Sequence, residues 1–275
     1  MTTIEVFQIS AQLASIGAAV DAAEILATGS EYGPDGMYSW ALMRTNHRWS
    51  TVGSISKVLD TVFGVSLFKL LMVGQITMAI LVVTRLAFPY LGIATGILFV
   101  LRAAIHLRHQ LGLDGSDQMN AIVLGALTLG LTAPAGYAKD AAIWFIAFEA
   151  LLSYFAAGVA KAVSPVWRSG SAIQGIISTR AYGKASAASL LLRAPRISLT
   201  LCWSTIIFEC TFPFAALASP DVCIMVLAAG VMFHVSIAAT MGLNNFVWAF
   251  VATYPAVFQT SLDVNMALHQ VVSKG

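Results

Sequence analysis

Residues 222–244, VCIMVLAAGVMFHVSIAATMGLN, run for 23 positions with no acidic residue, lysine or arginine and one histidine, His234. An α-helix rises about 1.5 Å per residue, so this stretch covers the roughly 30 Å hydrocarbon core of a bilayer. In water such a helix would have no polar face to present, and it reads as a transmembrane span. Working outward, comparable apolar runs lie at 8–28, 58–84, 88–107, 119–137, 141–163 and 197–217. A shorter run, Phe246 to Phe258, fits either an eighth, short span or a helix lying in the interface. Pro89, Pro134 and Pro220 fall at span ends, where a missing amide costs little, whereas Pro213 lies inside a span and predicts a kink.

Composition agrees. Charged residues make up 10% of the 275 residues and hydrophobic ones 58%, whereas a soluble domain carries about 25% charge. Most of the surface must therefore meet lipid, which makes the bilayer the first partner. The expected fold class is all-α: one domain over 1–275, a polytopic bundle of about seven (six to eight) spans. The 15 basic and 13 acidic residues nearly cancel. With no arginine-rich stripe, this argues against a nucleic-acid partner. Cys202, Cys210 and Cys223 show no CxxC spacing and read as packing residues. The first apolar run has no basic residue before it and carries Asp21 and Glu24, so no removable signal peptide is expected.

Loop charges sort by side. Arg44, Arg48 and Lys57 follow the first span, Arg108 the third with Arg102 near its end, and Arg168, Arg180, Lys184, Arg193 and Arg196 lie in the acid-free connection 164–196. The other side has little beyond Arg85 and Lys139. The positive-inside rule puts the basic loops in the cytoplasm and the N-terminus outside; seven spans would leave the C-terminus inside. The connection 164–196 mixes apolar residues with Gly and Ser and fits short amphipathic helices at the interface.

Charged groups inside spans need a partner, water or a function. Here they are Asp21, Glu24, Asp60, Lys69, Glu149, Lys161, Glu209 and His234, with Asn244 and Asn245 at a span end. Helical spacing puts Tyr154, Gly158 and Lys161 on one face, and Gly158 leaves a gap there for a ligand or a close helix. A desolvated lysine loses preference for its charged form and can act as a base; a lysine snorkelling to the interface is the plainer reading. His234 fits a hydrogen-bonded core residue or a catalyst. Glu149 lies twelve residues before Lys161, about 18 Å along a helix, too far to pair. His106, His109, Asp114 and Asp117 have spacings that permit a metal, but Asp114, Ser116 and Asp117 read better as helix caps, and no metal ligand is assigned.

Tyr154-Phe-x-Ala-Gly158-Val-x-Lys161, followed by Trp167 and Gly170, resembles the signature of the HTTM superfamily, membrane domains related to vitamin K-dependent γ-glutamyl carboxylase. Phe233-His234, Gly242, Phe246 and Tyr254-Pro255 are similar to that family's late histidine-bearing helix. Gly112-Leu-Asp114-Gly-Ser-Asp117-Gln-Met119 is similar to a segment of bacterial members of the sporulation-delaying-protein-B type. The resemblance covers about 57–258. It implies Lys161 as an intramembrane base and His234 as a second catalytic position. Tyr154, Gly158, Trp167, Glu149 and Asn244 are the candidate ligand-binding residues; the cofactor is open, with a quinone-type lipophilic ligand as a candidate. The departures are Ala160 where the family has a second lysine, one extra residue between lysine and tryptophan, and no counterpart of the carboxylase's β-rich soluble domain up to Gly275.

The functional expectation is a multi-pass protein of a bacterial inner membrane that acts in maturation or export of a peptide or partner protein. A non-catalytic scaffold and a vitamin K- or quinone-dependent carboxylase-like enzyme stand as alternatives, so catalysis itself is left open. A small transporter is disfavoured, because no internal repeat is evident.

Overall fold

The computed structural model describes residues 1–46, 53–108, 114–134, 136–179, 183 and 185–273. The described residues form an all-α bundle. Arg48, His109, Gly112, Arg180 and Lys184, named above, lie outside them.

α1 (Thr3–Ala27) opens on a capping box, in which the Thr2 hydroxyl accepts from the Glu5 amide at 3.2 Å and the Glu5 carboxylate accepts from the Thr2 amide at 2.7 Å. Between Phe7 and Ile25 its buried face is made of small residues, among them Ala11, Ala14, Ala18 and Ala22. Small faces let helix backbones approach closely in a membrane. Buried amides use that closeness: Gln75 donates to the Ala18 carbonyl at 2.6 Å and Asn120 to the Ala14 carbonyl at 2.9 Å. α1 therefore sits at the centre of the bundle.

α2 (Trp40–Met43), α3 (Gly53–Val62) and α4 (Val65–Val83) follow. The expected span 58–84 is in fact two helices, because the chain turns at Phe63–Gly64 and Gly64 caps α4 in an extended ψ. α5 (Leu91–Arg108) is preceded by a 3-10 turn over Phe88–Tyr90, with Pro89 in it. α6 (Gly115–Thr132) starts at Asp114, whose carboxylate accepts from the Ser116 amide at 2.8 Å, so the capping role of Asp114 is shown directly. α7 (Ala138–Val163) is the longest helix. The connection 164–196 holds α8 (Pro165–Arg168), α9 (Ser171–Ile177) and α10 (Ala185–Arg193). α11 (Pro195–Thr211) tightens into a 3-10 turn over Phe212–Ala216 at Pro213, where a missing amide was expected to disturb the helix. α12 (Pro220–Met241), α13 (Asn244–Val251) and α14 (Tyr254–Val272) complete the chain.

Among the described residues, six helices are long and apolar enough to cross a membrane: α1, α4, α5 with its leading turn, α7, α11 with its trailing turn, and α12. α6 and the interrupted pair α13–α14 pack among them, with Leu124, Ala249, Ala252, Ala256 and Val257 inaccessible. The short run 246–258 comprises most of α13 and the first turn of α14, broken between them and buried within the bundle. The α13–α14 pair begins where Asn244 donates to Glu24 at 2.8 Å, at the far end of α1. It reaches the opposite end, where Ser261 and Asn265 each donate to the Ala218 carbonyl at 2.8 Å. The second half of α14 therefore lies at the same end of the bundle as the start of α1, not at the end that carries the basic loops.

Two arginines read as loop charges are internal. Arg108 is fully buried, donating to the carbonyls of Tyr32, Tyr38 and Phe63 with its guanidinium 4.0 Å over the Phe68 ring. Arg102 is equally buried and ion-paired.

Candidate functional site in the membrane

The face of α7 carrying Tyr154, Gly158 and Lys161 turns toward α11, as its spacing predicts. Gly158 is where the two helices meet: a Cβ there would stand 2.7 Å from the Cys210 amide nitrogen and 2.9 Å from the Glu209 carbonyl carbon. The gap is filled by a close helix, not held open for a ligand, so α11 displaces Gly158 from the expected ligand-binding set.

That approach places two polar clusters on α7, two turns apart. At its end, Lys161 donates from Nζ to both Glu209 oxygens, at 2.8 and 2.6 Å. Trp167, from α8, lies beneath the same ammonium, 5.2 Å from ring centroid to Nζ. Glu209 is buried and Lys161 keeps a partly open side chain.

About 10 Å deeper along α7, the Tyr154 hydroxyl stands 2.6 Å from His234 Nε2 and 2.7 Å from the Tyr254 hydroxyl. One phenol proton serves two contacts, so Tyr154 donates to one neighbour and accepts from the other. All three side chains are buried among aromatics: Phe212 stacks on Tyr154 at 3.7 Å and Phe250 on His234 at 4.6 Å. Gly230 makes the arrangement possible, because any Cβ there would collide with the Tyr254 hydroxyl. His234 Nδ1 is buried with no hydrogen-bond partner among the described residues. A buried polar atom left unpaired in an otherwise satisfied cluster marks the place where a further group can bond.

The remaining candidates sit apart. Glu149, near the midpoint of α7, is half-buried and has no ion pair or hydrogen bond among the described residues. Asn244 lies at the other end of α13, engaged with Glu24. It belongs to a cleft of about 290 Å³ lined by Asp21, Glu24, Tyr32, Asp114, Asp117 and Asn245, among others. Arg102 lies beneath, bonding Asp21 with one Nη and Asp117 with the other at 2.8 Å, and Asn245 donates to Asp117 at 3.2 Å. Desolvation, then the nearby Asp21 carboxylate, raises the Tyr32 hydroxyl above its usual range.

A second hollow, about 420 Å³, is almost wholly apolar and lies between the α11 end and the first half of α12, against Phe208, Phe214, Val222 and Met225. Phe208 forms its inner wall and packs edge-on against Tyr154 at 5.8 Å.

Sequence reasoning missed the partners. Hydropathy marks Glu209 only as one of several charges inside spans, Tyr254 only as part of a motif, and Gly230 not at all. Comparison of the chain with protein-family models, with curated proteins and with solved structures yields no match.

Proposed function

We propose that the chain is an HTTM-type protein of a bacterial inner membrane whose α7–α11–α12–α14 junction holds a lipophilic, proton-exchanging ligand of the quinone class. The activity serves maturation or export of a peptide or partner protein. The observation that carries the reading is His234. An imidazole buried in the membrane, bonded on one nitrogen and orphaned on the other, is costly unless a ligand or function completes it. The apolar hollow behind Phe208 supplies room for a hydrocarbon tail within one aromatic ring of Tyr154. A quinone-class ligand would supply a carbonyl or hydroxyl oxygen able to gain or lose a proton. Toward it, His234 and Tyr154 would orient that oxygen, while the Lys161–Glu209 pair exchanges the proton with the basic side. Because Glu209 matches the Lys161 charge, the amine is free to act as a base only once the proton has moved to the carboxylate.

The test is equilibrium binding of a short-chain ubiquinone or menaquinone analogue to the purified chain in nanodiscs. Saturable binding lost in His234→Phe, with the fold retained, supports the reading; equal binding by both proteins defeats it.

A second reading has its own observation. Lys161, Tyr154, Arg102 and Asn244 all find partners within the chain, which is what a non-catalytic scaffold locked by polar contacts requires. In that case Lys161→Met/Glu209→Met retains full cellular function.

A further inference from the structure

Between Glu149 and Glu209 the sequence contains no acidic residue. Within that stretch α8, α9, α10 and the first turns of α11 pack into one unit at the basic end of the bundle. Ser198 donates to the Gly170 carbonyl at 2.6 Å, Gln174 to the Leu191 carbonyl at 3.0 Å, and the Trp203 indole to the Arg168 carbonyl at 3.3 Å. Gly170 is left-handed (φ 81°), and a Cβ there would stand 2.7 Å from Leu199 Cα, which fixes how α9 meets α11.

The outside of this unit combines two properties. Arg168, Arg193 and Arg196 are exposed and make no ion pair with a described residue. Beside them Val166, Leu190, Leu192, Ile197 and Trp203 are exposed by 40–62%. A soluble partner would be expected to leave fewer large apolar groups uncovered, and bulk water would favour covering them. A surface of apolar side chains with arginines and no carboxylate complements the boundary of an anionic leaflet, where the chains enter the acyl region and the guanidiniums meet phosphates.

The geometry points to this collar as a binding surface for anionic phospholipid, with Arg168, Arg193 and Arg196 as its headgroup contacts. Each basic residue near an anionic leaflet contributes about fivefold in partitioning. The experiment measures which lipid the purified full-length chain retains from equimolar phosphatidylglycerol and phosphatidylcholine, read by native mass spectrometry. The wild type is expected to retain phosphatidylglycerol several-fold over phosphatidylcholine. The Arg168→Gln/Arg193→Gln/Arg196→Gln variant should lose that preference while unfolding at the same temperature as the wild type in pure phosphatidylcholine. Should that variant fail to fold, the wild type alone decides, because its preference should shrink at high salt. Equal retention of both lipids, a preference that survives the triple substitution, or one indifferent to salt would overturn the proposal. So would complete displacement by soluble glycerophosphoglycerol, which would mean a headgroup-anion site and no lipid surface.

Discussion

Lys161 Nζ reaches both carboxylate oxygens of Glu209, at 2.8 and 2.6 Å, and so ties the last turn of α7 to α11 across a buried seam. Removing one partner of such a pair leaves the other charge uncompensated, whereas removing both often costs little. Lys161→Met and Glu209→Met are each expected to destabilise the protein by about 1–3 kcal/mol. That is below the cost for fully buried pairs, because the lysine side chain is one-fifth exposed. The double variant should recover most of the loss, as read by thermal unfolding in detergent. A double variant no more stable than the worse single one would show that the two charges do not act as a pair.

What the sequence disclosed, and what it hid, follows one physical line. A charge inside an apolar run is visible from hydropathy alone, so Lys161, His234 and Asp21 stood out. Which helix answers each charge is a tertiary fact: Glu209 is 48 residues from Lys161 and Tyr254 is 100 from Tyr154. Hydropathy also passes without a step through Phe63–Gly64, which is why α3 and α4 read as one span. Arg102 and Arg108 looked like loop charges because they lie near the end of an apolar run. Their partners, Asp21, Asp117 and three carbonyls, belong to segments that only the fold brings over them.

Arg102 is the single guanidinium between two carboxylates, Asp21 on α1 and Asp117 on α6. Replacing it with glutamine leaves both without that opposite charge, and the expected cost is about 3–5 kcal/mol, among the largest for any single substitution here. Arg102→Lys should rescue only part, since an ammonium lacks the planar fork that faces two acceptors on different helices. Chemical denaturation in mixed micelles measures both. A lysine variant as stable as the wild type would mean that charge alone, without fork geometry, holds α1, α5 and α6 together.

Gly230 lies against the Tyr254 hydroxyl with no room for a methyl group. Gly230→Ala should push α12 and α14 apart, break the Tyr254–Tyr154–His234 chain and cost about 1–3 kcal/mol as overpacking. Tyr254→Phe removes the atom in collision, so the double variant should be more stable than Gly230→Ala alone. Because the ring carbon still lies 2.9 Å from the added methyl, the rescue should be incomplete. Additive losses in the double variant would place the clash elsewhere.

The Ala218 carbonyl accepts from Ser261 and Asn265, which brings the second half of α14 to the same end of the bundle as Ala133 and the start of α1. A count of seven spans would instead put the C-terminus with the basic loops. Single cysteines, introduced after Cys202, Cys210 and Cys223 are replaced by alanine, decide between the two in sealed vesicles. Ala133→Cys and Ser273→Cys should react with a membrane-impermeant maleimide from one face, and Ser178→Cys from the other. By the positive-inside rule the Ser178 face is expected to be the cytoplasmic one, because Arg168, Arg193 and Arg196 lie there and only Arg85 and Lys139 oppose them among described basic residues outside the helix interiors. Ser273→Cys labelling together with Ser178→Cys would mean that α13 and α14 enter the bundle and return without crossing. The depth at which Tyr254 meets Tyr154 and His234 would then need another explanation.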